Sequence, residues 1–143
     1  MLSLTCKTAI KAVIYLASRY ESGARTGIKE IAEYIDASEH TVGKLLQTLV
    51  KRNIINSVKG PSGGFYIAGN QLKQPIIAIV RAIDGDQVFR ECGLGLRQCS
   101  ETRPCPMHND YKAAREILEG FFRKNNIRDL CDHVNNGAAY LIS

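Results

Sequence analysis

The sequence predicts a mainly α-helical fold with one small β-hairpin, and three observations predict it. Apolar residues recur at three- and four-residue steps over most of the chain. One pair of β-leaning runs flanks a glycine-rich turn. The helical period lapses only in a cysteine-bearing stretch and then returns in a second long segment. With 143 residues, 45% of them hydrophobic, the chain can build one fair-sized core but not two enzyme-sized domains.

Leu4, Ile10, Val13, Ile14, Ala17 and Tyr20 mark one apolar face between residues 4 and 20, with Lys7, Lys11 and Arg19 between them, which predicts a long amphipathic helix. After the loop from Gly23 to Gly27, the residues Ile28, Ile31, Ala32 and Ile35 predict a short helix. It ends at Asp36-Ala37-Ser38, where Ser38 can cap the start of a second helix buried through Val42, Leu45, Leu46, Leu49 and Val50. Two short helices joined by so tight a turn form a helix-turn-helix, whose second helix enters the major groove of DNA.

The run 54–59, the turn Gly60-Pro61-Ser62-Gly63-Gly64 and the run 65–68 predict strand, turn and strand. A hairpin directly behind a recognition helix makes the fold a winged helix-turn-helix. Pro75 suits the first position of a further helix through Ile76, Ile79, Val80 and Ile83, closed by Asp84-Gly85. Residues 86–106 have no sustained period and predict an irregular loop. The period returns from about Asn109 to Lys124, with Tyr111, Ala114, Ile117, Leu118, Phe121 and Phe122 on one face. This long helix lacks a partner in so small a chain, so its stripe of Tyr111, Ala114, Leu118 and Phe121 predicts a homodimer. A short helix over 127–134 and a frayed tail over 135–143 complete the chain. The expected units are a winged helix over 1–84, a cysteine loop over 85–108, and a dimerisation helix with its C-terminal segment over 109–143.

Lysine and arginine outnumber aspartate and glutamate by 19 to 14, a formal net charge of +5, which favours a polyanionic partner. No apolar run approaches the roughly 20 residues of a membrane span, and no signal-peptide pattern stands out, so the cytoplasm is the expected compartment. The helical period turns Glu39, His40, Thr41, Gly43, Lys44, Gln47 and Lys51 outward. Ser38, His40, Thr41 and Lys44 occupy the first turns, where recognition helices touch base edges. Lys59 stands at the end of a wing strand, and Gly60, Pro61, Ser62 and Gly63 let the wing backbone come close to phosphate or the minor groove. Nothing resembles a catalytic serine, histidine and acid set or a nucleotide-binding glycine loop, so no enzyme is expected.

Five cysteines are an odd count for a disulfide framework in a chain without export signals. Cys92, Cys99 and Cys105 lie six or seven residues apart, and His108 follows three positions after the last. Soft thiolates suit iron–sulfur iron, an imidazole can replace one of them, and zinc accepts the same Cys-Cys-Cys-His set. Three free thiols are the remaining alternative. Cys131, beside Leu130 and Val134, is expected to be a core thiol, and His133 a surface residue.

The run Val58-Lys59-Gly60-Pro61-Ser62-Gly63-Gly64-Phe65, behind a helix-turn-helix and ahead of a cysteine loop, resembles the wing of the IscR and NsrR type of bacterial regulator. The resemblance covers the chain to about residue 134. It implies a dimer binding a two-fold DNA operator, with base or groove contacts from Ser38, His40, Thr41, Lys44 and Lys59. The recognition segment here reads His40-Thr41-Val42-Gly43-Lys44, where well-known members carry a tyrosine and an acid. The resemblance further implies an iron–sulfur cluster on Cys92, Cys99 and Cys105, and three thiolates with one imidazole are the ligand set expected of a two-iron, two-sulfur cluster. His108 matches the fourth ligand of IscR-like members. NsrR-like members instead use a carboxylate from the partner's first helix, where this chain has Lys7-Thr8, with Cys6 nearby. The expected function is a transcriptional regulator, read as a repressor, that senses redox, nitric oxide or iron–sulfur status. A cluster-free or zinc-bound regulator answering to a protein or small molecule is the alternative.

Overall fold

The computed structural model describes residues 1–142, so Ser143, at the end of the expected tail, lies outside the described residues. Helix α1 spans Leu4–Ser18. Its N-cap Ser3 accepts from the Cys6 N–H at 3.0 Å, while the Ser3 N–H and hydroxyl donate to the Asp84 carboxylate at 2.9 and 2.5 Å. Cys6, Ala9, Ala12 and Val13 are wholly inaccessible, and Tyr15, Leu16 and Ala17 nearly so. α1 is therefore the central strut of the core rather than a helix with one wet face. It stops at Ser18, earlier than the expected Tyr20, because a tight turn over Tyr20–Ser22 closes on Gly23 at φ 67°.

Helices α2 (Ile28–Ile35) and α3 (Glu39–Lys51) form the helix-turn-helix. Asp36 takes a left-handed conformation between them, and the Ser38 hydroxyl accepts from the Thr41 N–H at 3.1 Å as the expected cap. Val42, Leu45, Leu46 and Leu49 face the core. Strands β1 (Asn56–Val58) and β2 (Gly64–Tyr66) pair antiparallel, with Ser57 opposite Phe65. β1 starts two residues later than expected because Ile54 and Ile55 are drawn into the core. The wing gains a third edge from Thr26, which exchanges backbone hydrogen bonds with Phe65 at 2.9 and 2.8 Å. Buried Gln71 pins the base of the hairpin. Its amide donates to the Asn53 carbonyl and the Asn56 Oδ1, while its Oε1 accepts from the Ala68 N–H.

Helix α4 (Ile76–Ile83) packs on α1. Pro75 caps it from extended backbone, so the helix starts at Ile76, one position later than expected. Helix α5 (Gln87–Arg90), a single turn, interrupts the stretch expected to be irregular. Its buried Phe89 stacks obliquely on Phe122 of α6 (His108–Lys124), ring centroids 6.0 Å apart. Burying such side chains contributes about 1.5–3 kcal/mol each, enough to hold a four-residue helix that propensity alone would not. Phe122 consequently points into its own chain, which splits it from the rest of the apolar face expected on this helix. Helix α7 (Ile127–Asn135) opens with reciprocal Asn126 and Asp129 cap bonds, and its buried Ile127 and Cys131 close the core against α1. Among the described residues no helix is long and apolar enough to cross a membrane.

Candidate nucleic-acid interface and metal centre

On α3, His40, Lys44, Gln47 and Lys51 are exposed, and Thr41 and Gly43 are half-buried at its edge. The Ser38 hydroxyl is engaged on both sides, accepting from the Thr41 N–H and donating to the Thr41 Oγ1 at 2.9 Å. Its first task is therefore to hold the start of α3 rather than to reach outward.

In the wing, Lys59, Gly60, Pro61 and Ser62 are exposed and Gly63 is half-buried. Gly63 is demanded by packing: a Cβ there would lie 2.0 Å from the Val58 carbonyl oxygen. Gly64, at φ +145°, lies so close to Thr26 that a Cβ would meet its backbone at 2.9 Å. These two glycines let the turn fold back on the strand and seat the wing against the Thr26 edge.

Exposed Arg25, one residue before Thr26, has its guanidinium 6.0 Å from the Tyr66 ring centroid. It adds a cation to the wing that sequence reasoning missed. The pairing of Thr26 with Phe65 is a long-range contact, so no local pattern marks Arg25; the only sequence signal is a basic residue in the Gly23–Gly27 loop.

The second assembly is the cysteine loop. The Cys92, Cys99 and Cys105 Sγ atoms all lie within 4.8 Å of one another, with Cys92 and Cys105 at 3.5 Å. Docking of α5 through Phe89 brings Cys92 beside the start of α6, and Arg115 of α6 donates to the Glu91 carbonyl next to it. The Leu96 and Leu94 N–H groups favour the charged form of Cys92, whose thiol is held down to about 7. The Cys105 N–H also favours the Cys99 thiolate, but burial and the neighbouring thiols outweigh it and push Cys99 up.

His108, the first residue of α6, sets its Nδ1 3.3 Å from the Cys99 sulfur, and its Nε2 is buried without a hydrogen-bond partner. Three sulfurs converging on one point fit a metal or an iron–sulfur group by donor chemistry, and the His108 Nδ1 stands beside one of them, Cys99. The loop opens onto a cleft of about 450 Å³ whose lining includes Cys99, Cys105, Arg97 and Arg103.

The remaining cysteines stand apart. Burial, helped by the Asp84 carboxylate, pushes the Cys6 thiol up to about 12. Cys131 is a core thiol as expected, raised by burial, with Asn135 as its hydrogen-bond partner.

Comparison with known proteins identifies relatives among transcriptional regulators. The family Rrf2, described as an iron-dependent transcriptional regulator, matches residues 2–133. An HTH-type transcriptional regulator of Aquifex aeolicus (strain VF5) is 30% identical over 128 residues, 88% of each chain. The HTH-type transcriptional regulator NsrR of Geobacillus kaustophilus (strain HTA426) is 28% identical over 92% of this chain and 87% of its own. Among solved structures, T. potens IscR superposes with a TM-score of 0.75 at 18% identity, covering 98% of this chain and 92% of that one; this is a likeness of fold.

Proposed function

The chain belongs to the Rrf2 family of iron-dependent transcriptional regulators, and on that premise we propose that it is a DNA-binding repressor whose Cys92, Cys99, Cys105 and His108 hold a two-iron, two-sulfur cluster. The convergence of the three sulfurs within 4.8 Å carries this reading. When bound, such a cluster supplies a centre responsive to redox, nitric oxide or cluster supply. An imidazole in place of one thiolate makes it less negative and raises its potential.

The chain's own residues supply the coupling. Arg115 and Lys112 tie the loop to α6 through the Glu91 carbonyl and the Glu101 carboxylate. Ser3 and Asp84 tie the start of α1 to the end of α4, just ahead of the loop. Since α1 also packs on α3, a loop rearrangement has a packed route to the recognition helix. Iron, sulfide and zinc analysis of anaerobically purified protein, with its visible absorbance, tests the cluster. Equimolar zinc with no iron or sulfide would replace it by the second reading.

That second reading, a single zinc ion, is favoured by one observation. A tetrahedral ion with Zn–S bonds of about 2.3 Å sets its sulfurs about 3.8 Å apart, a scale that suits three sulfurs lying within 4.8 Å of one another. A two-iron cluster requires part of the loop to widen.

For DNA, the proposal assigns base edges to His40, Thr41 and Lys44, the start of α3 to Ser38, and phosphates to Lys59 and the backbone of Gly60, Pro61, Ser62 and Gly63. Lys59→Ala is expected to weaken operator binding and to reduce the log–log salt slope by roughly 0.9, the share of one phosphate; an unchanged slope would remove Lys59 from the interface. Lys44→Ala is expected to cost about 1–3 kcal/mol at one base pair if it reads a guanine edge. An equal loss on every sequence would make it a phosphate contact instead.

The operator-binding form is proposed to be a homodimer built on α6. Ile117 is 75% exposed and Phe121 46%, whereas Leu118 packs partly on its own core. With Ala114 and Tyr111 on the same helix, they leave an apolar stripe that a second copy would cover. Charged residues at Ile117 and Phe121 together are expected to yield a folded monomer, while sedimentation of the unmodified chain at micromolar concentration should show a dimer. A monomeric parent would end this assignment.

A further inference from the structure

This inference rests on the reading of His108 as the fourth ligand and extends it to the residue that orients it. The two ring nitrogens of His108 face different surroundings. Nδ1 looks at the cysteines, 3.3 Å from the Cys99 sulfur. Nε2 points the other way, is buried and lacks a hydrogen-bond partner, and has the Glu101 Oε1 3.6 Å away. With the side chain only 10% exposed, water has little access to it. A neutral imidazole carries one N–H, so binding metal through Nδ1 leaves the proton on Nε2, facing Glu101.

The carboxylate is itself held in place. Lys112, four residues along α6 from His108 and therefore on the same helix face, donates to the same Glu101 oxygen. Glu101 thus sits over both residues of α6, between Cys99 and Cys105 in sequence. An approach of about half an ångström brings Nε2–H and Oε1 within hydrogen-bond range.

We propose that Glu101 is a positioning residue of the metal centre, accepting from the His108 Nε2–H so that Nδ1 is fixed toward the metal. A carboxylate behind a ligating imidazole fixes its tautomer and ring orientation and makes it a stronger donor. In this chain the same carboxylate, through Lys112, also clamps the Cys99–Cys105 segment to α6.

Zn²⁺ alone serves as the probe, since it accepts the same four donors and needs no cluster assembly. Competition with a chromophoric chelator under anaerobic conditions measures its affinity. Glu101→Ala is expected to lose roughly 10- to 100-fold. Glu101→Gln, whose amide oxygen still accepts from Nε2–H, is expected to recover part of that loss. In a His108→Ala background, Glu101→Ala should cost nothing further. Long-range proton–nitrogen correlation on the Zn²⁺-loaded protein should place the His108 proton on Nε2.

A full Glu101→Ala loss in the His108→Ala background would overturn the proposal, because Glu101 would then act through the loop alone. A proton on Nδ1 would overturn it too. If His108→Ala leaves Zn²⁺ affinity untouched, His108 is not a ligand and the reading beneath the proposal fails as well. If His108→Ala weakens binding while Glu101→Ala does not, the ligand stands and only the role of Glu101 is lost.

Discussion

Alanine at any one of Cys92, Cys99 or Cys105 is expected to abolish the visible chromophore and the bound iron of anaerobically prepared protein, while Cys131→Ala leaves both unchanged. The contrast follows from placement. The three loop sulfurs lie within 4.8 Å of one another, so each is a third of the thiolate donors and no other cysteine stands in the loop. Cys131 is buried in the core on the inner face of α7. His108→Ala should weaken or shift the chromophore rather than remove it, because water or another side chain can take one position among four. Iron retained at parent level in any of the three cysteine variants would contradict the ligand set. Loss of iron in Cys131→Ala at unchanged thermal stability would point to a ligand outside the loop.

Gly63→Ala is expected to cripple DNA binding without unfolding the protein. The added methyl would fall 2.0 Å from the Val58 carbonyl oxygen, which is backbone and cannot swing aside as a side chain would. The turn must open, and the register that sets Val58 opposite Gly64 goes with it. Backbone distortion of this kind costs on the order of 1–3 kcal/mol, or roughly 5- to 150-fold in affinity if the wing must re-form on the operator. The core elements α1, α4 and α7 lie outside the hairpin, so the melting temperature should move by only a few degrees. Gly60→Ala is the companion variant: Gly60 has positive φ but open space around it, so strain without collision should give a smaller loss. Parent-level operator affinity for Gly63→Ala, read by fluorescence anisotropy, would separate the wing from DNA recognition.

Most of the fold was legible wherever local chemistry and tertiary packing agree. Ser38 reads as a cap and acts as one, and the α3 face of Val42, Leu45, Leu46 and Leu49 is buried as its period requires. The glycine run of the wing is likewise a turn whose Gly63 is enforced by contact.

The misses have two causes, a left-handed residue ahead of the wing and a contact distant in sequence. The β-leaning Ile54 and Ile55 are core residues because the left-handed turn at Asn53 carries them inward ahead of β1. The turn α5 exists because Phe89 finds Phe122, more than thirty residues away, and the same contact buries Phe122 while Ile117, on the same apolar face by period, stays exposed.

At the site, the three cysteines were legible as candidate ligands by residue type and spacing, with His108 three positions on. Their convergence depends on docking of the loop to α6, which spacing does not encode. Glu101 and Arg25 carried no motif at all, since each acquires its partner only when the chain has folded.

The separation of the cysteines makes the protein its own indicator. Two thiols, Cys6 and Cys131, are sealed in the core, at 0% and 4% exposure, and burial holds both in the unreactive protonated form. Of the other three, Cys92 and Cys99 are half-buried in the loop, Cys99 lines its cleft, and Cys105 lies buried beneath them. A small alkylating reagent applied to the folded chain therefore meets a silent background, and every modification it records falls on the loop. Mass spectrometry after a brief alkylation would then report the fraction of chains with an unliganded loop in a cell extract, before purification or exposure to air has altered it.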